Sequence, residues 1–157
     1  MSKTKMISSI AGALSLALAA GMANAQSYGA DITIDVAKKV ATATLAECQK
    51  NNWRVAVAVV DTHGKLVYFE KMNDTQIASV RIAQDKAVAA ATFRRPTRAF
   101  VDVIAKGSVA IMTLPGVIGS PGGEPIVVGG KIIGAVGVSG VTGDQDEQCA
   151  KAGTGSL

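Results

Sequence analysis

From residue 31 the apolar positions follow a helical rhythm. Val36, Ala37, Val40, Ala41, Thr44 and Cys48 recur every three or four residues, while Lys38, Lys39, Glu47 and Lys50 fall mainly on the other side. This spacing predicts an amphipathic helix over 31–51, ended by Asn51-Asn52. The period then changes to two. Over 53–60, Val55, Val57 and Val59 share one face and Ala56, Ala58 and Val60 the other. With both faces apolar, this is a central strand covered on both sides. Asp61-Thr62-His63-Gly64 has Asp at the first turn position and Gly at the last, where each is favoured. The chain returns as a strand over 66–71, with Tyr68 and Phe69 facing opposite sides.

Asn73-Asp74-Thr75 offers a cap for a second helix running to about residue 92, with Ile77, Val80, Ala83, Ala87 and Ala91 as its buried stripe. Pro96 biases Arg95 toward an extended conformation and breaks it. A shorter helix follows, turning Phe100, Val101 and Ile104 inward. Residues 113–123 read as loop, 125–128 as a strand, Gly129-Gly130 as a two-residue hairpin turn, 131–139 as the partner strand and 144–151 as a final helix. Hairpins rather than long crossovers join the strands. The expected class is therefore α/β of the α+β kind, an antiparallel sheet with helices packed on it. There is no internal repeat and no linker, so 26–157 reads as one domain.

The first 25 residues follow another pattern. Lys3 and Lys5 precede a mostly apolar run over 6–20, and Ala23-Asn24-Ala25 supplies the small-x-small pattern of a signal peptidase site. The run is shorter than the roughly 20 residues a membrane span needs. Residues 1–25 are thus expected to be a cleaved secretory signal, which makes the product periplasmic or secreted with no membrane span after cleavage. Cleavage removes two lysines and no acid, halving the formal net charge of +4. That balance argues against a nucleic-acid partner, which would call for a stronger basic excess. Apolar residues make up 48% of the chain and aromatics only 4%, so the core must be built from Ala, Val and Ile on a closely packed backbone. Export also permits one disulfide, Cys48–Cys149, although the spacing alone equally allows two packed thiols.

The chemical inventory is mostly negative. Gly134, Gly137 and Gly140 lie in or after a strand rather than opening a helix, so they are neither a phosphate loop nor a dinucleotide fingerprint. They mark close packing or backbone approach to a ligand. His63 is the one histidine, and no nucleophile elbow accompanies it. A zinc site needs at least three ligands, and no cluster along the sequence supplies them. His63 is then either a solvated turn residue or an axial ligand to haem iron, two subunits being able to meet across one haem. Met72 and Met112 are soft-ligand candidates that serve equally as core filler. Asp61, Glu124, Asp144, Asp146 and Glu147 are the acid–base candidates, and their spacing demands no catalysis. No residue is expected to be catalytic, and the inventory leans away from an enzyme. Arg94, Arg95 and Arg98 cluster beside Pro96 and Thr97, where guanidinium groups could clamp a carboxylate or a haem propionate.

Several stretches in order carry a resemblance: Val57-Ala58-Val59-Val60-Asp61 with Gly64-Lys65-Leu66; Lys86-Ala87 through Phe93-Arg94-Arg95-Pro96-Thr97; the Pro115-Gly116 loop; Gly122-Gly123-Glu124-Pro125-Ile126; Ile133 to Gly140; and Asp146-Glu147. Together they resemble the GlcG/HbpS-like family of haem-binding proteins, found also as the C-terminal domain of PduO-type proteins. The resemblance implies a profilin-like antiparallel sheet of about five strands flanked by helices, assembly into homo-oligomers, and haem binding in some members. It implies a sensor-kinase partner for a secreted member, and for others a place beside glycolate or alcohol oxidation. Members commonly carry a small residue or glycine where His63 stands, so a ligand role for His63 rests on its own chemistry. The expected function is an exported homo-oligomer holding haem, a related tetrapyrrole or a small anionic ligand. Phe93 and Pro115 would form apolar walls, Arg94 or Arg95 would hold a carboxylate, and Thr97 would offer a hydroxyl. Gly122 and Gly123 would let the ligand approach, and His63 would reach iron from a partner subunit. The alternatives are an accessory protein or enzyme of glycolate or alcohol oxidation, with an oxidoreductase partner, or a signalling partner of a sensor kinase.

Overall fold

The computed structural model describes residues 27–157, and the expected secretory signal over 1–25 lies outside them. Helix α1 (Ile34–Lys50) starts at Thr33, whose hydroxyl accepts the amide of Val36, and carries Asp35 in its first turn and Lys50 in its last, matching the helix dipole. It begins later than the expected residue 31 because residues 27–32 are engaged with the sheet. The Gly29 amide donates to Ile132 O, Ile132 N to Ser27 O and Ile32 N to Ile133 O.

Strands β1 (Ala56–Val60) and β2 (Leu66–Lys71) form the first hairpin. Helices α2 (Ser79–Phe93) and α3 (Arg98–Ala105) follow, then a 3-10 turn at Val109–Thr113, strands β3 (Gly123–Val128) and β4 (Lys131–Ser139), and helix α4 (Gly143–Thr154). The sheet order is β2-β1-β4-β3, and each neighbouring pair is antiparallel. There are four strands, against the expected five or so. Beyond the end of β1, the place beside β4 is taken by a single parallel bridge between Tyr28 and Ile132. The Gly129-Gly130 turn has both residues at positive φ, 56° and 75°, the conformation that suits the twist of a two-residue hairpin.

Two cores sandwich the sheet. On one face, α1 and α4 cover Val55, Val57, Val59, Val136 and Val138, and a Cys48–Cys149 disulfide joins the two helices at a Cα separation of 5.6 Å. On the other, Ala83, Ala87, Ala90 and Ala91 of α2 pack on Ala56, Ala58, Val60 and Ala135. The small side chains bring α2 to backbone contact with β4: a Cβ on Gly137 would lie 2.0 Å from Ala83 O.

The beginning of α2 differs from expectation. Thr75 does not cap it; its hydroxyl donates to Met72 O and Val55 O, fastening the loop to the start of β1. The helix begins four residues later, which leaves Ile77 outside the stripe and 93% exposed. In α3 only Phe100 is buried; Val101 and Ile104 are half-buried. Among the described residues no helix is long and apolar enough to cross a membrane.

Candidate ligand-binding site

Helix α2 ends at Phe93 because Arg94 adopts the left-handed conformation, φ 54° and ψ 42°. The terminal carbonyls of Ala91 and Thr92 accept the Tyr28 hydroxyl at 2.8 and 3.2 Å, and the Arg94 guanidinium lies 5.6 Å from the centre of the Tyr28 ring. Arg95 is exposed and donates from Nε to Phe93 O. The half-buried Phe93 ring stands edge-on to Phe100, centroids 5.2 Å apart. Its other side meets the exposed Pro115-Gly116 loop, where a Cβ on Gly116 would sit 3.8 Å from Phe93 Cε2.

Phe93, Arg94, Arg95 and Pro115 therefore reach one stretch of surface. Thr97, Gly122 and Gly123 do not join them. Thr97 is fully buried, its hydroxyl accepting the Gly123 amide at 3.0 Å while its own amide donates to Gly123 O at 2.9 Å. A Cβ on Gly123 would lie 2.3 Å from Lys86 O, and one on Gly122 (φ 112°) would lie 2.7 Å from Asp146 Cβ. In this chain the two glycines pass β3 close against α2, and Thr97 latches the start of α3 to it.

A cleft of about 390 Å³ opens between the outer side of α2 and the loop after the 3-10 turn, lined by Arg81, Asp85, Val88, Gly116, Val117 and Ile118. That volume falls in the range of small-ligand sites. Val88, Val117 and Ile118 make its apolar lining, and Arg81 supplies a cation, its Nε 2.8 Å from Asp85 Oδ1. Sequence reasoning missed Arg81 and Asp85, because a charged pair four residues apart on a helix resembles any solvated face.

Arg98, the third arginine of the cluster, is committed elsewhere. Its guanidinium bonds Glu147 (Nε to Oε2, 3.0 Å) and Asp144. Lys151 also holds Glu147, at 2.8 Å. Burial alone would raise the Glu147 carboxyl, but Arg98 and Lys151 together hold it below the usual range. Glu124, beside this network on β3, is 7% exposed and its Oε1 has no partner among the described residues. Burial pushes it up to about 7, against the pull of Lys151 and Arg98 and with the push of Glu147. Lys86 escaped sequence reasoning as a buried charge, since nothing local marks its contact with Asp146, sixty residues on.

His63 is not among the residues that line the cleft. Its side chain is 73% exposed, with Nδ1 3.2 Å from the Thr62 hydroxyl and 3.6 Å from Asp31 Oδ1. The turn that carries it rests on α2 through Gly64, where a Cβ would lie 3.3 Å from Val88. Met72 packs against the core beneath α1, and Met112 is 47% exposed on the 3-10 turn.

Residues 32–155 match the family described as haem degrading protein HbpS-like. Protein GlcG of Escherichia coli strain K12 is 43% identical over 104 residues, 66% of this chain and 78% of GlcG. The crystal structure of HbpS superposes with a TM-score of 0.76 at 30% identity, covering 83% of this chain and 93% of HbpS. That of a PduOC:heme complex superposes at 0.73, with 24% identity over 81% and 95% of the two chains, a likeness of fold. The matched span takes in both faces of the sheet, the arginine cluster and the glycine-rich β3–β4 hairpin, and the chain belongs to the HbpS-like family.

Proposed function

We propose that this chain binds haem, or a closely related tetrapyrrole, in the cleft between α2 and the loop over 114–118. The observation that carries the reading is the lining of that cleft on an HbpS-like fold: three aliphatic side chains, a glycine that leaves room, and a guanidinium at the side. Haem has the matching character, a flat apolar macrocycle with two carboxylates. Val88, Val117 and Ile118 would enclose the ring, and Arg81 would hold a propionate, with the exposed Arg95 within the same stretch of surface for the other. When bound, the group would supply a redox-active iron. None of the six lining residues is a histidine, cysteine, methionine or tyrosine, so enclosure and charge do the holding. His63 is not one of those six.

Export and self-association belong to the same proposal. The signal-like pattern over 1–25 and the Cys48–Cys149 bridge support an oxidising location. Val109, Met112 and Leu114, exposed at 65%, 47% and 49%, are apolar side chains that a second subunit would cover.

Titration of the purified protein with hemin tests the reading. The expected result is saturable binding with a shifted Soret band, weakened about tenfold or more by Val117→Glu, which puts a charge against the ring, and by Arg81→Ala, which removes a charge-assisted bond. Absence of saturable binding, or binding indifferent to both substitutions, would overturn it.

A further inference from the structure

Folding brings Asp31 to a turn that already carries two metal-ligating side chains, Asp61 and His63. Asp31 comes from the segment preceding α1; Asp61 and His63 come from the β1–β2 turn. One ligand atom from each lies within 4.8 Å of the others. We infer that Asp31, Asp61 and His63 form a binding site for a divalent transition ion of borderline hardness, such as Zn²⁺, with water completing the shell.

The donor set is mixed rather than purely acidic, and its imidazole selects for transition ions over Mg²⁺ or Ca²⁺. The spacing also fits. His63 Nδ1 and Asp31 Oδ1 are 3.6 Å apart, too far for a hydrogen bond. Two ligands each about 2.1 Å from a shared tetrahedral ion stand about 3.4 Å apart. Both carboxylates are already oriented. Asp61 Oδ1 accepts the amides of His63 and Lys65, each at 2.8 Å, and Asp31 Oδ1 accepts the Thr62 amide at 3.1 Å and the Thr62 hydroxyl. Among the described residues neither Oδ2 carries a hydrogen bond. Thr62 thus stands to the metal ligands as an outer support, holding Asp31 and meeting the imidazole. The site is exposed, with Asp31 and His63 side chains 47% and 73% accessible, so an ion can reach it without any opening of the fold. The β1–β2 turn also holds it rigidly: Asp61 N donates to Lys65 O, and Gly64 takes φ 74°.

Zn²⁺ titration of the purified protein by calorimetry, without haem, tests the site. One equivalent is expected to bind. His63→Ala, a change at an exposed side chain, should weaken binding by about tenfold or more, and Asp31→Asn likewise. Co²⁺ used as a coloured substitute should show a visible ligand-field band that His63→Ala removes. No binding of Zn²⁺, or binding that His63→Ala leaves intact, overturns the site. The cleft reading fails separately. Val117→Glu should leave Zn²⁺ binding unchanged while weakening hemin binding, and His63→Ala should leave hemin binding unchanged. Loss of hemin binding in His63→Ala with Zn²⁺ binding retained would assign the imidazole to haem iron instead and overturn the site.

Discussion

Lys86 Nζ lies 2.7 Å from Asp146 Oδ2, and the two side chains are 1% and 3% exposed. The ammonium also donates to Val138 O at 2.9 Å, and the Val141 amide donates to Asp146 Oδ1 at 3.2 Å. Burial pushes the Lys86 amine down and the Asp146 carboxyl up, each toward its neutral form, while their contact opposes both movements. The pair sits where β3 begins and β4 ends, and it ties α2 to α4 past the sheet. Removing either partner strands a charge or a polar group in that interior. Lys86→Met and Asp146→Asn should each cost about 3–5 kcal/mol in urea unfolding, and the double variant Lys86→Met/Asp146→Leu should cost clearly less than the sum.

Glu124 gives the fold a distinctive pH dependence. Its carboxyl is raised from the ordinary 4.5 to about 7, mainly by burial. A raised acid stabilises the fold while both states are protonated, below about pH 4.5, and that stability drains away as pH climbs through 7. The loss amounts to about 3 kcal/mol, because the side chain is almost wholly buried and solvent does little to screen it. Glu124→Gln should abolish this decline and leave the variant more stable than wild type above pH 7. Denaturant midpoints measured across that window, in both proteins, isolate Glu124 from Asp146 and Glu147, which titrate in both. Equal slopes would refute the assignment.

The disulfide closes a loop with a sequence separation of 101. In the chain-entropy account a closure of that length contributes about 4–5 kcal/mol. Thermal unfolding with and without a thiol reductant should differ by that order, and Cys48→Ala/Cys149→Ala should match the reduced wild type.

Gly137 is a steric requirement rather than a conformational one. The Ala83 carbonyl and the Ala87 amide occupy the space a Cβ would take. Gly137→Ala should cost about 1–3 kcal/mol or force α2 away from β4. Gly129→Asn is the control: nothing lies within 4 Å of its added Cβ, and asparagine accepts the positive φ of 56°. Its effect should stay within about 0.5 kcal/mol.

Periodicity carried most of the fold. The alternation of Val55 to Val60 correctly marked a strand buried on both sides, and the spacing of Val36 to Cys48 marked α1. Gly129-Gly130 marked its hairpin because two positive φ angles leave little choice of residue. Boundaries failed where a side chain had a tertiary use: Thr75 looks like a cap but bonds to Val55 O, and Ile77 looks like core but precedes the helix. The site was less legible. Phe93 and the Pro115 loop do meet, but Thr97 spends its hydroxyl on a backbone amide, which no local pattern announces. Asp31 reaches the His63 turn only because residues 27–32 run beside β4, and a search for ligands close in sequence cannot find such a neighbour.

The alanine-lined contact between α2 and the sheet bears on how a ligand could be selected. With backbone against backbone, that helix has no slack to shift when something docks on its outer side. Opposite it, residues 114–118 contain no buried side chain. The cleft therefore pairs a fixed wall with a compliant one, and substitutions over 114–118 should retune which outline it accepts without disturbing the fold beneath.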